Sequence, residues 1–526
     1  MKVIYRSYLS ILILLSPILF FSCNQVEEKV QPNIIFIMSD DHAEQAISAY
    51  GSKLIQTPNI DRIANEGILF KNSFVTNSIC APSRAVLLTG KYSNLNGLRD
   101  NRDEFDGSQV TFPKILQASG YQTYMMGKWH LKTDPTGFDD WKILTGQGQY
   151  YNPTFKENGE QTRYIGYTTD LITDMAIETL DKRNKDKPFC MLVHHKAPHR
   201  NWMPHKKYFN VYKDEDLPLP ESLFDNYEGR TAAEEADMRI SDMYLSLDMK
   251  LLPGYYDEET GTGGSANAAQ NIEKSWENSY NNLTEDQKSA WDEHYIPINE
   301  EFKNANLSGK ELLVWKYQRY VKDYLRCILS VDESVGRILD YLDKEGLAEN
   351  TIIVYTSDQG FYLGEHGWYD KRFMYEESLG MPLVIRYPGE IEAGQNSEEI
   401  VLNLDFAPTF LDYAKANVPE EMQGKSLRKL LGGKDNSEWR NSMYYHYYEY
   451  PHGWHEVKRH YGIRTIRYKL IHFYNDIDVW ELYDLENDPN EMNNIYNLSE
   501  NKELIESLKK ELEELQIQYK DTGDFN

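Results

Sequence analysis

The chain has 526 residues, 40% of them apolar, so it can bury a sizeable core and is not of the disordered type. Its net charge of -27 speaks against nucleic acid as a partner, because phosphate binding needs a basic field, and four cysteines are too few for a disulfide framework. The same acidity repels any anionic ligand unless a local basic pocket overcomes it.

The N-terminus reads as a targeting segment. Lys2 and Arg6 make a basic start, and residues 8–21 are mostly apolar but too short for a comfortable membrane span. The stretch ends in Phe21-Ser22-Cys23-Asn24, a small residue before a cysteine, as at a bacterial lipoprotein cleavage site. Aromatic residues ahead of Ser22 depart from the commonest form of that box. The expectation is a lipoprotein-type signal peptide at 1–22, lipidation at Cys23 and a tether at 23–31. Ordinary cleavage to a soluble periplasmic protein is the alternative. Glu27 and Glu28 resemble an acidic surface-export tag. The protein is thus expected in the periplasm or at the outer membrane and cell surface of a Gram-negative bacterium, touching membrane only through a lipid anchor.

Asn33–Met38 is a nearly continuous apolar run, as in a strand buried on both faces of a parallel sheet. It stops at Ser39-Asp40-Asp41-His42. Residues 60–69 have helical spacing, and a second helix starts at Ala85. Phe189–Val193 is a second buried strand, and Ile352–Thr356 a third that ends at Ser357-Asp358-Gln359-Gly360. Pro382–Arg386 makes a fourth, and Val331, Val335, Ile338, Leu339 and Leu342 keep helical spacing before the third. Strands alternating with helices imply an α/β sheet, whose ligands sit beyond the carboxyl ends of its strands. Residues 205–310 are polar and partly Gly/Ala-rich, an insertion that is either a lid or an inert decoration. From about 441 to 526 an aromatic run at 444–450, alternating strands at 461–474, a turn-rich 481–489 and a charged helix at 504–519 make a smaller α+β subdomain. Cys190 and Cys327 lie in apolar runs and read as buried thiols.

The chemistry is concentrated in Cys80-Ala81-Pro82-Ser83-Arg84 followed by Leu88-Thr89-Gly90-Lys91-Tyr92. This stretch resembles the signature of the type I, formylglycine-dependent sulfatases, in the manner of bacterial polysaccharide sulfatases and arylsulfatases. The resemblance runs through motifs over about 32–385 and continues to about 495. It implies an alkaline-phosphatase-like sandwich: a large mixed central sheet flanked by helices in a catalytic domain at 32–440, followed by an antiparallel sheet in the C-terminal subdomain. It also implies a sulfuric ester hydrolase in which a separate maturation enzyme converts Cys80 to formylglycine (3-oxoalanine). A hydrated aldehyde offers one oxygen to sulfur and can expel sulfate by regenerating the aldehyde; a serine lacks that exit. Arg84 can fork two donors onto an anionic oxygen.

Adjacent carboxylates repel, and a cation between them resolves the repulsion. Asp40, Asp41, Asp358 and Gln359 offer hard oxygens, which suit calcium rather than zinc. The resemblance carries one calcium ion to these four and Cys80. Family members more often have Asn or His where Gln359 stands, but its carbonyl can still ligate. Lys128 and Lys371 match the family's sulfate-binding lysines; His130 matches the histidine that assists sulfate elimination and His199 the acid for the leaving oxygen. These cations would make one basic pocket in an acidic protein.

The sugar end is less specified. The 39 tyrosines and 10 tryptophans stack on sugar faces or fill cores. Candidate sugar contacts are His194, His195, Arg200, Asn201 and Trp202 beside His199, then His366, Trp368, Asp370 and Arg372 beside Lys371. Tyr447, His452, Trp454, His455, Lys458, Arg459 and His460 join them from the C-terminal segment. The expected substrate is a sulfated oligosaccharide or polysaccharide: algal ulvan or carrageenan, or a glycosaminoglycan. The alternatives are a phosphatase or phosphonate hydrolase of the same superfamily, and a non-catalytic glycan-binding surface lipoprotein.

Overall fold

A computed structural model describes residues 31–256, 266–433 and 438–522; the signal, Cys23 and all of the tether but Gln31 lie outside the described residues. Among the described residues fourteen strands form two sheets. They are β1 (Asn33–Ser39), β2 (Ile68–Phe74), β3 (Gln122–Gly127), β4 (Asp140–Leu144), β5 (Thr154–Glu157), β6 (Glu160–Arg163), β7 (Phe189–His194), β8 (Thr351–Ser357), β9 (Leu383–Arg386), β10 (Gln395–Leu402), β11 (Ser442–Tyr447), β12 (His460–Thr465), β13 (Tyr468–Phe473) and β14 (Val479–Asp484).

The large sheet has ten strands in the order β10-β2-β9-β8-β1-β7-β3-β4-β5-β6. It is mixed: β1 runs parallel to both β7 and β8, whereas β9 is antiparallel to β8 and β2. Every residue of β1 and of β8 is buried, which explains their unbroken apolar runs. Helices cover both faces, the longest being Gly309–Lys344, which packs against the helices Pro58–Asn65 and Thr168–Lys182. The four-stranded antiparallel sheet β11-β12-β13-β14 carries the helix Lys502–Gln518. Tyr444, Tyr445 and Tyr447 are fully buried in the aromatic layer joining this sheet to the rest of the protein, so the run at 444–450 is largely strand core.

Three sequence readings differ from the structure. The helix expected over 60–69 is Pro58–Asn65, and Ile68 already begins β2. Gly67 makes the break: a Cβ there would lie 2.0 Å from the Ile385 carbonyl, so only glycine lets β2 reach β9. The helix expected from Ala85 begins at Cys80 itself; all ten of its residues are buried, so it has no polar face to show a period. Of the segment 205–310, the described residues Met243, Tyr244, Leu245 and Leu251 enter the main core, so that part of it is built into the protein.

Candidate active site

Because β8, β1, β7 and β3 are consecutive parallel strands, their carboxyl ends open on one side of the sheet. Asp40 and Asp41 follow β1, Asp358 and Gln359 follow β8, His194–His199 closes β7, and Lys128 and His130 follow β3. Cys80 reaches the same place as the first residue of its helix, entered from extended Ile79 and left at Gly90.

One oxygen from each of Asp40, Asp41 and Asp358 lies within 4.8 Å of the others; an Asp40 oxygen, the Cys80 thiol and a His199 ring nitrogen form a second such group. Gln359 Nε2 donates to Asp41 Oδ1 at 2.5 Å and to Asp358 Oδ1 at 2.8 Å. Lys371 Nζ donates to both oxygens of Asp41, at 2.7 and 2.8 Å, and Lys128 pairs with Asp40. Arg84 turns its fork on Asp358 Oδ2, through Nε at 3.0 Å and Nη2 at 2.8 Å, and gives Nη1 to the Lys128 carbonyl at 2.7 Å. Its donors are thus taken by the site's own frame, not held out for an anionic ligand. His199 Nε2 stands 3.9 Å from Asp41 Oδ2. Asp41, His130, Asp370 and Arg372 all have left-handed backbone, at φ +68, +58, +78 and +101, conformations that cost about 1–3 kcal/mol each and are held by their surroundings. Tyr324 holds Asp41 so: its hydroxyl donates to the Asp41 carbonyl at 2.6 Å and accepts from Ala43 N at 2.8 Å.

The electrostatics are those of crowded acids. Burial pushes the Asp41 carboxyl up to about 7, with Lys371 pulling down and Asp40 and Asp358 pushing further up. Burial and then Asp40 raise Asp358 to about 6. Asp40 stays well below the usual range, because the charges of Lys128, Arg84 and Lys371 outweigh its burial. Burial, followed by the Asp40 charge, pushes the Cys80 thiol far above the thiolate range. Burial, then Lys128, pushes His130 and His199 well below ordinary histidine, which favours the neutral form of both rings. Asp40 Oδ1 and Gln359 Oε1 are buried acceptors with no hydrogen-bond partner. Orphaned hard oxygens beside three crowded carboxylates are what a hard divalent cation satisfies.

A family model described as Sulfatase matches residues 32–416, and a second, N-sulphoglucosamine sulphohydrolase, C-terminal, matches 364–518. The chain belongs to the sulfatase family. This sulfatase is 53% identical over 504 residues to an N-acetylglucosamine-6-O-sulfatase of Bacteroides thetaiotaomicron, covering 94% of this chain and 88% of that one. It is also similar to a solved structure in complex with its substrate D-glucosamine-2-N,6-O-disulfate, at TM-score 0.89 and 52% identity, covering 94% and 99% of the two chains. An arylsulfatase of Clostridium perfringens is 27% identical over 527 residues, covering 91% and 93%. The protein is therefore an enzyme, a sulfuric ester hydrolase, with the alkaline-phosphatase-like α/β fold.

The expected sugar contacts of the sulfatase divide by burial and by the partners they have within the protein. Trp202 is fully buried, packed 4.5 Å from the Tyr320 ring, and is core. His195 is fully buried with Nε2 at 3.1 Å from Ser334 Oγ on the long helix. His366 is fully buried with Nδ1 2.8 Å from Asp225. His194, Trp368, Tyr447 and His460 are interior as well. Arg200 is committed to Asp248 through two 2.7 Å contacts, and Lys458 to Asp476. Arg459 donates to the Tyr448 carbonyl at 3.0 Å, and His452 is exposed. Asn201 keeps a buried amide nitrogen with no partner. Asp370, Arg372 and His455 do form one cluster beside Lys371: Arg372 Nε lies 3.1 Å and His455 Nε2 3.3 Å from Asp370 oxygens, and Arg372 also pairs with Glu449. Asp248, Tyr324 and Glu449 were missed by the sequence reading; each lies far from any motif and acts only by holding a residue that belongs to one.

Proposed function

We propose that this sulfatase removes the 6-O-sulfate of a glucosamine-type sugar in glycosaminoglycan-derived oligosaccharides. The observation that carries this is the 53% identity, over nearly the whole chain, to an N-acetylglucosamine-6-O-sulfatase. The glucosamine disulfate complex of the solved relative supports it. Algal ulvan and carrageenan have no comparable support.

In this reading Cys80 is converted to formylglycine by a maturation enzyme. A calcium ion would be held by Asp40, Asp41, Asp358, Gln359 and the converted Cys80. The converted group would supply a hydrated aldehyde as nucleophile, and the cation would make it more acidic and neutralise sulfate oxygens. The conversion answers a difficulty in the unmodified site, where a thiol pushed far above neutrality is a poor nucleophile. Lys128 and Lys371 take the sulfate oxygens, turning from Asp40 and Asp41. The charges permit this: three carboxylates face the three cations Arg84, Lys128 and Lys371, so a divalent cation leaves the pocket positive for an anionic ester. Arg84 is a positioning residue that fixes Asp358. Neutral His130 accepts a proton as the aldehyde is restored. His199 Nδ1 lies 2.5 Å from the Arg200 carbonyl, so the neutral ring keeps its proton there. Nε2 gives a proton to the leaving sugar oxygen once the anionic substrate has favoured the imidazolium. An exported, lipid-anchored location rests on residues 1–23 and is part of the proposal.

The test is sulfate release by enzyme co-produced with a formylglycine-generating enzyme, beside a Cys80→Ala control. The panel is N-acetylglucosamine 6-sulfate, glucosamine 2-N,6-O-disulfate, 2-O- and 4-O-sulfated disaccharides, and ulvan and carrageenan oligosaccharides. Release from the 6-sulfated glucosamines alone is the expected result. Release from galactose- or algal-type sulfates instead, with residue 80 shown by peptide mass to be converted, would overturn the substrate assignment.

A further inference from the structure

Of the ten tryptophans in the chain, only Trp454 is exposed, with 58% of its surface in water. It sits in the loop between β11 and β12, and that loop is anchored on both sides of it. On one side Gly453 lies so close to the Glu449 carboxylate that a Cβ would come within 2.6 Å of Oε2. Glu449 in turn pairs with Arg372. On the other side His455 Nε2 meets Asp370 Oδ2 at 3.3 Å, and its Nδ1 lies 2.6 Å from the Asp237 carbonyl. The Asp237 amide answers by donating to the His455 carbonyl at 2.8 Å. The two anchors therefore grip Asp370 and Arg372, the residues that flank Lys371, whose amine reaches Asp41 at 2.7 Å. The loop that bears the indole is thereby tied to the strap that carries Lys371, and the indole's ring neighbour is His455, at 6.4 Å between centroids. An exposed tryptophan on a clamped loop offers its flat apolar face and polar N–H to solvent, a shape that suits the face of a pyranose.

We infer that Trp454 is a stacking platform at the rim of the pocket for the sugar next to the sulfated one, so that it favours oligosaccharides over monosaccharides. This rests on the sulfatase reading and adds a neighbouring-sugar subsite to it. The test compares Trp454→Ala, Trp454→Phe and wild type on N-acetylglucosamine 6-sulfate and on a disaccharide carrying that sugar. The readout is the ratio of kcat/KM for disaccharide over monosaccharide. In Trp454→Ala the ratio falls about tenfold, through the disaccharide KM, the size of loss expected for one aromatic face. Trp454→Phe recovers most of it. An unchanged ratio, or an equal loss on both substrates, overturns the inference. A wild type that releases no sulfate from either substrate would instead count against the parent reading.

Discussion

Arg84, one helical turn beyond Cys80, closes Nε and Nη2 on a single oxygen of Asp358, at 3.0 and 2.8 Å. The nucleophile helix and the acidic end of β8 are thereby locked together inside the protein, where Arg84 is only 2% exposed. Arg84 serves the site by fixing a carboxylate.

Arg84→Ala should therefore cost about 3–5 kcal/mol, because it strands a buried carboxylate. Arg84→Lys should recover part of the stability and little activity, since a point charge cannot reach both Asp358 and the Lys128 carbonyl. Denaturant unfolding and sulfate release, with residue 80 checked by peptide mass for conversion, measure the two effects separately. Full activity in Arg84→Lys would refute the fork's importance.

Calcium should stabilise the enzyme more at higher pH. Asp41 at about 7 and Asp358 at about 6 lie above the ordinary carboxylate value of 3.8. The folded, ion-free protein thus keeps protons that the unfolded chain has already released. The contribution of these two carboxyls to stability falls as pH rises from about 4 to 7, and a bound cation must displace their protons. The rise in Tm on adding calcium is expected to be larger at about pH 8 than at about pH 5.5. A rise of equal size at both would mean that no proton leaves these groups on binding.

Unconverted Cys80 should be inert. Its thiol is 1% exposed and its ionisation is suppressed by burial and by Asp40. Enzyme made without the maturation partner should resist iodoacetamide at Cys80 until it is unfolded, as should Cys190, whose thiol is likewise pushed up by burial. Mass spectrometry of alkylated peptides reads this directly.

His199→Ala should lose roughly 100-fold or more in kcat on a sugar sulfate, the usual worth of a proton donor. The loss should be much smaller on nitrophenyl sulfate, whose leaving group needs no proton. His130→Ala should depress both substrates alike. Equal losses on both substrates in His199→Ala would remove the acid role.

By itself the sequence determined the parts of this protein in which one property governs a whole run. Strands β1, β7 and β8 are legible because both faces of each are buried, which leaves nothing but apolar residues between polar ends. The acids at those ends and the Cys80 motif are legible because the chemistry needs particular residue types at fixed spacing. Tertiary structure alone decided what each long polar side chain does. Trp202 and His366 stand next to site residues in sequence yet point into the core, because neighbouring positions at a strand end or turn face opposite ways. Arg84, Arg200 and Arg372 look like anion binders in the sequence, but Asp358, Asp248 and Glu449, distant in the chain, reach them first. Which carboxylate a buried guanidinium finds depends on how the elements pack, and no local pattern records that.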